Sequence, residues 1–427
     1  MRKLHSAGGL CSPEFCRHVR DDVRNIGMDS DLFNRRNFIS RAARGAMALT
    51  FAGAAARFAR AQEETPDEES SQEAPAVATG DRVGFALVGL GRLSIEQLIP
   101  AFRASKKAKL TALVSGDAAK AQRIAQENGV DPKSIYNYKN FGRIAKNKDV
   151  QVVYIVLPNS MHAEFTVRAA RAGKHVLCEK PMETSMTKCQ QMISECRHAK
   201  VKLMIAYRIQ YEPMNRQMQR LVRDKKFGDV KFIDSVNMQK IDKMEWRLSE
   251  KLSGSGAVGD LGVYCINTIR FLLGEEPVEI FAESFRPPGN PLFKEVDAST
   301  IFQMRFPSGV LANCACGFDA HDTKSYRVVA DRGTFGMDPA FPYRGLKMFA
   351  QPNEPPLPDI PATDQFANDL DHMADCVMND REPYTPGEEG LQDQRIIEAI
   401  FESAKKQRVV KLPKIDKVDA FRGPAPA

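Results

Sequence analysis

The stretch Val83-Gly-Phe-Ala-Leu-Val-Gly-Leu-Gly-Arg-Leu-Ser94 decides the fold. Its first six residues form a continuous apolar run, which is typical of a central parallel strand buried on both faces. The next six residues match the dinucleotide-binding fingerprint at its first two glycines and carry serine in place of the third. The stretch therefore predicts a strand, a glycine turn and a helix in that order.

Each glycine of this fingerprint has a physical role. The first permits a tight turn, the second lets the backbone approach a pyrophosphate, and the third lets the helix pack on the strand, for which Ser94 is small enough. An ordinary turn is the alternative, but the order of strand, turn and helix favours nucleotide binding. The turn residues predicted to contact the nucleotide are Gly89, Leu90, Gly91, Arg92 and Leu93.

Strand-like apolar runs alternate with helical patterns through the following part of the chain. The strand-like runs cover residues 83–88, 110–114, 150–157, 175–178 and 202–206, and the helical patterns cover 94–104, 118–128, 162–172 and 184–199. Such alternation predicts an α/β fold with a parallel sheet and right-handed crossovers. We therefore expect a Rossmann dinucleotide-binding domain over residues 82–206.

The pattern changes after residue 207, where strands follow one another with few helices between them. Strands are predicted over residues 231–239, 278–285, 300–306, 310–317 and 325–330, and helices over 260–273, 364–378 and 388–406. A succession of this kind predicts an α+β domain, over residues 207–427, with a large and mostly antiparallel sheet. One face of that sheet is expected to form a homodimer or homotetramer.

The charge of the chain is concentrated near its start. Residues 1–61 hold eleven Lys/Arg and five Asp/Glu of the totals of 61 and 54, which leaves 50 basic and 49 acidic residues in the remainder. A body so close to neutral lacks the basic surface that neutralises phosphates, so the sequence argues against a nucleic-acid partner.

The basic segment is typical of an export signal. Asn34-Arg-Arg-Asn-Phe-Ile-Ser40 is a twin-arginine pattern, residues 42–59 are weakly apolar, and Ala59-Arg-Ala61 provides small residues for cleavage. The apolar part is too short and too charged for a stable membrane anchor. An amphipathic surface helix is the alternative. We expect export by the twin-arginine machinery after folding, a periplasmic location, a translation start at Met28 or earlier, and a flexible acidic arm over residues 62–81.

Neither cysteines nor histidines suggest a metal site. Seven of the nine cysteines follow residue 61, without Cys-x-x-Cys spacing, and none of the seven histidines is paired at i and i+4. Cys314 and Cys316 are interpreted as residues on the same face of a strand. The cysteines are expected to be mostly buried thiols, and no metal is expected.

The end of the second strand bears on the choice of nicotinamide cofactor. An NAD enzyme usually presents an acid there to the ribose hydroxyls, whereas this strand ends in Ser115. With Lys120 and Arg123 one turn into the next helix, this serine suits a 2′-phosphate that a carboxylate would repel. The nearby carboxylate of Asp117 would instead favour NAD, unless Asp117 caps the helix. NADP is therefore expected, and NAD is the less favoured alternative.

Lys174-His-Val-Leu-Cys-Glu-Lys-Pro-Met182 ends a strand with an acid, a base and a proline. Proline restricts the residue before it, so Lys180 should be held extended at the carboxyl end of the strand. In open parallel sheets that edge is where ligands bind. The alternative is a strand cap whose lysine extends into water.

With these motifs in view, the chain resembles the Gfo/Idh/MocA oxidoreductase family, and within it the glucose-fructose oxidoreductase branch. The resemblance covers nearly all of the chain from Arg82 onward. Besides the glycine turn, the matching motifs are Leu113–Gly116, Leu157-Pro-Asn-Ser-Met-His162, Cys178-Glu-Lys-Pro181, Tyr207-Arg208, Trp246-Arg247, Asp260-x-Gly-x-Tyr264 and Pro386–Gly390. Most of the family has histidine at the position of Tyr264, whereas this branch has tyrosine.

The resemblance implies three sets of site residues. The catalytic residues would be Lys180, Asp260 and Tyr264. Further cofactor contacts would be Leu157, Asn159, His162, Glu179, Lys180, Arg208, Trp246 and Arg247. Substrate contacts would be Lys180, Tyr207, Tyr211, Asp260 and Tyr264. Alternatives are a helix-start residue for His162, a helix N-cap for Asp260, and core packing for Trp246 and Tyr264.

These residue types suit the oxidation of an alcohol, which needs hydride departure and removal of the hydroxyl proton by a base. Tyr264 would be the base, because a neighbouring ammonium such as that of Lys180 favours phenolate. Lys180 would also bind the developing alkoxide, and Asp260 would orient the substrate or the lysine.

The predicted function is an NADP-dependent sugar oxidoreductase that works by a ping-pong glucose-fructose or aldose-aldose reaction. One alternative is a sugar or inositol dehydrogenase with an exchangeable cofactor, and a second is an oxidation-assisted glycoside hydrolase. A sugar-binding protein without catalysis is a third. The arm over residues 62–81 is shorter and more acidic than that of the glucose-fructose enzyme, which puts tight nucleotide retention in doubt.

Overall fold

The computed structural model describes residues 82–354 and 356–426, whose strands form two sheets. The predicted export signal and arm, residues 1–61 and 62–81, lie outside the described residues. Among the described helices, none combines the length and the apolar character that crossing a bilayer requires.

The first sheet is parallel throughout, as predicted, with the strand order β3-β2-β1-β4-β5-β6. Its strands are β1 (Val83–Val88), β2 (Ala108–Val114), β3 (Ile135–Tyr136), β4 (Val152–Ile155), β5 (His175–Glu179) and β6 (Leu203–Ala206). All residues of β1 are buried, because helices cover both faces of a doubly wound sheet. The glycine turn follows β1 and therefore lies at the carboxyl edge in the middle of the sheet.

The helices of this part are α1 (Ile99–Ala104), which continues a π-helical turn (Ser94–Leu98), α2 (Ala118–Asn128), α3 (His162–Arg171) and α4 (Met186–His198). The bounds of α2 agree with the prediction because both ends carry clear signals. Asp117 caps its start by accepting from the Lys120 backbone N–H, and Gly129 ends it in a left-handed conformation.

The second sheet has the strand order β13-β12-β11-β7-β10-β9-β8-β14, and β7 and β10 are its parallel pair. Its strands are β7 (Val230–Lys240), β8 (Glu279–Phe285), β9 (Ser299–Arg305), β10 (Leu311–Gly317), β11 (Asp319–Ala330), β12 (Gly333–Met337), β13 (Met348–Gln351) and β14 (Val410–Lys411). The predicted mostly antiparallel sheet is thus confirmed, and the parallel pair makes it a mixed sheet.

The helices after residue 207 are α5 (Pro213–Arg223), α6 (Glu250–Ser253), α7 (Val263–Leu273), α8 (Gln365–Met378) and α9 (Gly387–Lys406). A π-helical turn (Val258–Gly262) leads into α7. Helix α5 was not predicted; its N-cap is Glu212 and its helical residues are mostly polar. The spacing of its buried residues Met218, Leu221 and Val222 was nevertheless a helical signal.

Helix α8 crosses back from the second part of the chain to the first sheet. It packs against α1, β1 and β2. Its Asp371 carboxylate accepts from the Ser105 hydroxyl at 2.5 Å and from the Lys107 backbone N–H at 2.8 Å. One of the helices that cover the Rossmann sheet therefore comes from a part of the chain more than a hundred residues after the last strand of that sheet.

All seven cysteines in the described part of the chain are buried, free thiols. Within residues 82–354 and 356–426, no group of His, Cys, Asp or Glu side chains is arranged to hold a metal ion.

Two buried histidines give the fold a dependence on pH. His175 accepts from the Lys202 backbone N–H at 3.0 Å, and His372 accepts from the Tyr384 backbone N–H at 2.9 Å. Burial, followed by the charge of Lys202, lowers the pKa of His175 to about 4. Burial, followed by nearby arginines, likewise lowers the pKa of His372 to about 4. Both imidazoles are therefore neutral in the folded protein near pH 7.

We expect the free energy of unfolding to fall as the pH drops from about 6.5 to about 4. The unfolded chain binds protons on both histidines in this window and the folded chain does not, so acid favours unfolding, on the order of 3 kcal/mol for each group. Urea denaturation at several pH values measures the slope. His175→Asn and His372→Gln keep an acceptor without the charge, and the double variant should show a shallower decline; an unchanged decline would contradict the assignment.

Candidate active site

Lys180 lies at the carboxyl end of β5, at the edge of the parallel sheet where it was predicted. Its peptide bond to Pro181 is cis. The ammonium donates to the Asp260 backbone carbonyl at 2.8 Å and to the Asp260 carboxylate at 3.3 Å. The side chain is only 11% exposed, so it does not extend into water. Lys180 is instead bonded to a segment distant in the sequence.

Asp260 belongs to the π-helical turn that precedes α7, and it does not cap that helix. One carboxylate oxygen accepts from Lys180, and the other accepts from Arg247 Nε at 2.9 Å. Arg247 follows Trp246, whose half-buried ring lies 4.7 Å from the guanidinium carbon. Asp260 is therefore held between two cations from two different segments.

Tyr264 lies in the first turn of α7, one helical turn after Asp260. The Lys180 ammonium lies 4.5 Å from the centre of its ring. Its hydroxyl accepts from Arg208 Nε at 3.3 Å. The structure thus brings together Lys180, Asp260 and Tyr264, the three residues predicted to be catalytic.

The charges of this group reinforce one another. Burial acts to lower the pKa of Lys180, but Tyr264, Asp260 and Glu179 outweigh it and raise that pKa above its ordinary value. Burial acts to raise the pKa of Asp260, but Arg247 and Lys180 outweigh it and lower that pKa. Lys180 is therefore an ammonium and Asp260 a carboxylate near neutral pH, which makes Lys180 a hydrogen-bond donor rather than a base.

Arg208 was predicted to contact the cofactor, but its guanidinium faces aromatic rings. It lies 4.9 Å from the ring centre of Tyr264, 4.8 Å from that of Tyr343 and 5.6 Å from that of Phe366. It also donates to the Phe341 carbonyl at 2.6 Å. Arg208 is thus a second cation beside Tyr264, and this contact was missed in the sequence.

Tyr343 was also missed, because it lies in an irregular segment without a motif. The residue is 44% exposed, and its ring centre lies 4.8 Å from the Arg208 guanidinium carbon. Burial, followed by Tyr264, raises the pKa of Tyr343. This phenol is therefore a neutral hydrogen-bonding group near the site.

The glycine turn has the geometry that a dinucleotide requires. Gly89 has a φ of +92°, and a Cβ on it would lie 2.2 Å from the Val156 carbonyl oxygen, so another residue does not fit. A Cβ on Gly91 would meet nothing within 4 Å, which leaves its backbone open to a ligand. Ser94 is buried and donates to the Gly89 carbonyl at 2.6 Å, so it closes the turn and does not cap the helix. The turn fits a pyrophosphate.

The other turn residues differ in exposure. Leu90 is buried, whereas Leu93 is half-buried and Arg92 is exposed and pairs with Glu96 at 3.7 Å. Arg92 therefore has its guanidinium at the surface beside the turn.

Near the end of β2, the carboxylate of Asp117 is already bonded to the backbone. Ser115 accepts from the Asp117 backbone N–H at 3.1 Å, and Asp117 accepts from the Lys120 backbone N–H at 2.9 Å. Arg123 is exposed and pairs with Glu127 at 2.7 Å. Asp117 is therefore the helix cap that the sequence left as an alternative.

Tyr138, which was not predicted as a site residue, also lies beside this strand end. Its ring is 3.1 Å from where a Cβ on Gly116 would lie. It provides an aromatic surface at the end of β2.

Two predicted cofactor residues are used inside the protein instead. The ring nitrogens of fully buried His162 lie 3.0 Å from the Pro181 carbonyl and 2.9 Å from the Leu157 carbonyl. Asn159 is also buried and donates to the Ser253 carbonyl at 2.8 Å. Their side chains hold the loop after β4 against neighbouring segments. Leu157 is itself buried.

Glu179 and the two predicted tyrosines are also buried. Glu179 accepts from the Tyr154 hydroxyl at 2.8 Å, and burial raises the pKa of its carboxyl. Tyr211 bonds to Thr385 at 2.7 Å and packs on His372, so the structure does not bring it to Lys180 as a substrate contact. Tyr207 lines a small cavity together with Lys180 and is nearly fully buried.

Two family models match the chain. The model for the oxidoreductase family with an NAD-binding Rossmann fold (GFO/IDH/MocA) matches residues 83–207, and that for the GFO/IDH/MocA C-terminal domain matches residues 215–336. Both matches fall within the part of the chain whose fold is described above.

Among curated proteins, the chain is 33% identical over 344 residues to a D-xylose 1-dehydrogenase [NADP(+)] from Haloarcula marismortui, covering 78% of this chain and 94% of that protein. It is 28% identical to a D-xylose 1-dehydrogenase (NADP(+)) from Haloferax volcanii, covering 77% of this chain and 99% of that protein. Among solved structures, it is similar to an aldose-aldose oxidoreductase from Caulobacter crescentus complexed with glycerol, with 40% identity and a TM-score of 0.75, covering 78% of this chain and all of that chain. Because the family models and the relatives cover both sheets, the chain belongs to the Gfo/Idh/MocA oxidoreductase family.

Proposed function

We propose that this protein is an NADP-dependent sugar oxidoreductase that transfers hydride between the carbinol carbon of an aldose and a bound nicotinamide. The observation that carries the proposal is the convergence of Lys180, Asp260 and Tyr264 at the carboxyl edge of the sheet that also bears the glycine turn. The relatives named for xylose and for aldose substrates support the same substrate class.

NADP is proposed over NAD because of the residues at the end of β2. Ser115 has no carboxylate beside it that is free to bind ribose hydroxyls, because Asp117 already caps α2. Lys120 and Arg123 on α2 would bind the 2′-phosphate, with the ring of Tyr138 beside it. The two xylose dehydrogenases are named for NADP, which supports this choice.

The residues of the site have distinct proposed roles. When bound, the nicotinamide accepts or returns a hydride. Tyr264 acts as a phenolate, which the nearby cations of Lys180 and Arg208 favour. As the hydride leaves, the sugar O–H bond breaks, its electron pair forms the carbonyl, and the proton passes to the Tyr264 oxygen, which becomes a neutral phenol. Lys180 donates a hydrogen bond to the developing alkoxide. Asp260 holds the ammonium in place, and its own position is fixed by Arg247.

The finer proposal is a ping-pong cycle in which an aldose is oxidised to its lactone and a second sugar is reduced on the same nucleotide. Glucose with fructose, or two aldoses, are the proposed pairs. The named activity of the aldose-aldose relative supports this cycle more directly than that of the xylose dehydrogenases.

Near-ultraviolet absorbance of the purified protein tests the proposal. Adding an aldose to protein loaded with NADP is expected to produce the absorbance of the reduced nicotinamide, and a second sugar should then remove it. Dialysis before the assay distinguishes a retained nucleotide from the exchangeable one of an ordinary dehydrogenase. Absence of reduction with any of glucose, xylose and galactose would exclude the activity, and release of a chromophore from a coloured glycoside would favour hydrolysis.

We propose further that the protein is a homodimer or homotetramer through the open face of the second sheet. Large apolar side chains are exposed together on this face: Phe232, Phe281, Phe285, Ile301 and Leu311. Exposed apolar patches of this kind mark contact surfaces. Sedimentation analysis should give at least a dimer, and a monomer at micromolar concentration would refute this proposal.

Export through the twin-arginine pathway to the periplasm remains a proposal that rests on Arg35 and Arg36 and the apolar residues after them. Replacing both arginines by lysine is expected to keep the protein in the cytoplasm. Cell fractionation measures the distribution, and an unchanged distribution would contradict this route.

A further inference from the structure

A cluster of charged side chains lies buried behind α7. Arg270 of this helix donates to Glu276 at 2.7 Å, to Glu389 at 2.9 Å and to Asp393 at 2.5 Å. All of these side chains are at most 2% exposed. One cation thus faces three carboxyl groups away from water, so a second positive charge would reduce the excess of negative charge.

Arg422 provides that second charge. Its side chain is fully buried and donates to the Glu389 carboxylate at 2.7 Å and to the Gln210 side-chain oxygen at 3.2 Å. It belongs to the segment Asp419–Pro426, which follows β14. This segment lies far along the sequence from Arg270, and it adds the second arginine to the cluster.

The segment is held by bonds that do not involve the cluster. The Asp419 backbone N–H donates to the Gly274 carbonyl at 3.0 Å, and the Gly423 N–H donates to the Tyr384 carbonyl at 3.1 Å. Arg216 of α5 donates to the Pro426 carbonyl at 3.1 Å. The position of Arg422 is therefore fixed independently of its ion pair.

Glu389 connects this cluster with the candidate active site. Besides the two arginines, its carboxylate accepts from Gln210 at 3.1 Å and from Asn267 at 3.0 Å. Gln210 lies in the same short turn as Arg208, and Asn267 lies on α7 three residues after Tyr264. The two elements that bring Arg208 and Tyr264 together are thus tied to one carboxylate.

The hydrogen bonds that Glu389 accepts from the Gln210 and Asn267 amides depend on the negative charge of its carboxylate. Burial acts to raise the pKa of Glu389, but Arg270 and Arg422 outweigh it and hold that pKa below its usual value. A neutral carboxyl would present a donor of its own and could not accept from four donors at once. Removing Arg422 would therefore weaken the contacts of Glu389 with Gln210 and Asn267.

We infer that Arg422 is a positioning residue for the oxidoreductase reaction, acting through Glu389 on the turn that carries Arg208 and the helix that carries Tyr264. The inference rests on the proposed function for the role of Tyr264. It assigns a part in the reaction to the segment Asp419–Pro426, which contacts neither Lys180 nor the glycine turn in the described bonds.

Arg422→Met tests the inference, because it keeps the apolar part of the side chain and removes the charge. At saturating sugar the turnover is expected to fall about 10- to 100-fold, since small displacements of reacting groups have effects of this size. The dissociation constant of NADP should stay unchanged, because the glycine turn is not part of the cluster. Arg422→Lys, which keeps the charge, should restore part of the turnover.

Arg216→Met is the matched control, because it removes a bond to the same segment without touching the cluster. Its turnover should equal that of the unmodified protein when both are assayed below their melting temperatures. Equal turnover for Arg422→Met and the unmodified protein, or an equal loss in both variants, would overturn the inference.

Two further outcomes have defined meanings. If Arg422→Met does not fold, Arg422→Gln is compared with Arg422→Lys, and equal turnover of these two would also overturn the inference. If the unmodified protein oxidises no aldose, the proposed function fails, and this result is distinct from any comparison of variants.

Discussion

Tyr264→Phe is expected to lower the turnover of aldose oxidation by about 10²- to 10⁴-fold, the range that a positioned general base contributes. The variant keeps the ring 4.5 Å from the Lys180 ammonium and beside Arg208, and it removes only the hydroxyl that Arg208 contacts. The loss should therefore reflect missing proton transfer and not a collapsed site. Stopped-flow absorbance of nicotinamide reduction measures the step directly.

Binding of NADP serves as the internal check on this variant. The affinity for NADP should be unchanged, because Tyr264 lies on α7 and not in the glycine turn. Tyr384→Phe is the matched control, since its hydroxyl accepts from Gln219 at 3.3 Å in the second part of the chain. Near-normal turnover in Tyr264→Phe would mean that another group takes the proton, and the assigned mechanism would then be wrong.

Arg270→Met should lower the free energy of unfolding by about 3 to 5 kcal/mol, the usual result of removing one partner from a buried ion pair. The variant leaves Glu276, Glu389 and Asp393 buried, and among the described residues Arg422 is the cation that still pairs with one of them. Burial already raises the pKa of Asp393 to about 6, so this carboxyl is the one expected to take up a proton in the variant. Chemical denaturation followed by circular dichroism gives the free energy.

An exposed ion pair provides the comparison. Lys406 pairs with Glu402 at 2.8 Å on the surface of α9, with both side chains more than two-fifths exposed. Lys406→Met should change the free energy of unfolding very little, because water screens exposed pairs. Similar losses for Lys406→Met and Arg270→Met would show that burial is not the cause of the large effect.

The parallel sheet could be predicted because its strands are buried on both faces. Strands such as β1 and β5 are continuous apolar runs, and turn signals bound them on each side. The short strands β3 and β14 each contain only two residues, too few for a pattern to form. Their presence depends on pairing with a neighbouring strand and not on their own sequence.

The candidate catalytic residues were predictable through their motifs, whereas the residues around them were not. Lys180 directly follows an apolar strand, and Asp260 and Tyr264 lie one helical turn apart, in the π-helical turn and in α7, so the motifs carried the signal. Arg208 reaches Tyr264 only because a short turn after β6 points its side chain toward α7. Contacts of that kind arise from tertiary packing and leave no periodicity in the sequence.

Three residues predicted to contact ligands have side chains that bond inside the protein. His162, Asn159 and Tyr211 follow strands at the correct edge of the sheet, but their side chains turn inward to bond with Leu157, Ser253 and Thr385. Buried polar groups require such partners. A motif fixes the position of these residues along the chain, but the direction of each side chain depends on where its hydrogen-bond partners lie in the folded protein.

The return of α8 to the first sheet has a consequence for synthesis of the protein. Its residues Phe366, Leu370 and Met373 are buried, and the helix packs against β1 and β2. A ribosome releases the strands of the Rossmann sheet long before it releases α8, and domains ordinarily fold as they emerge. The Rossmann domain of the nascent chain therefore has apolar surface exposed until α8 is synthesised. Chains stalled before residue 365 should be cleaved readily by protease, whereas the released full-length chain should resist cleavage.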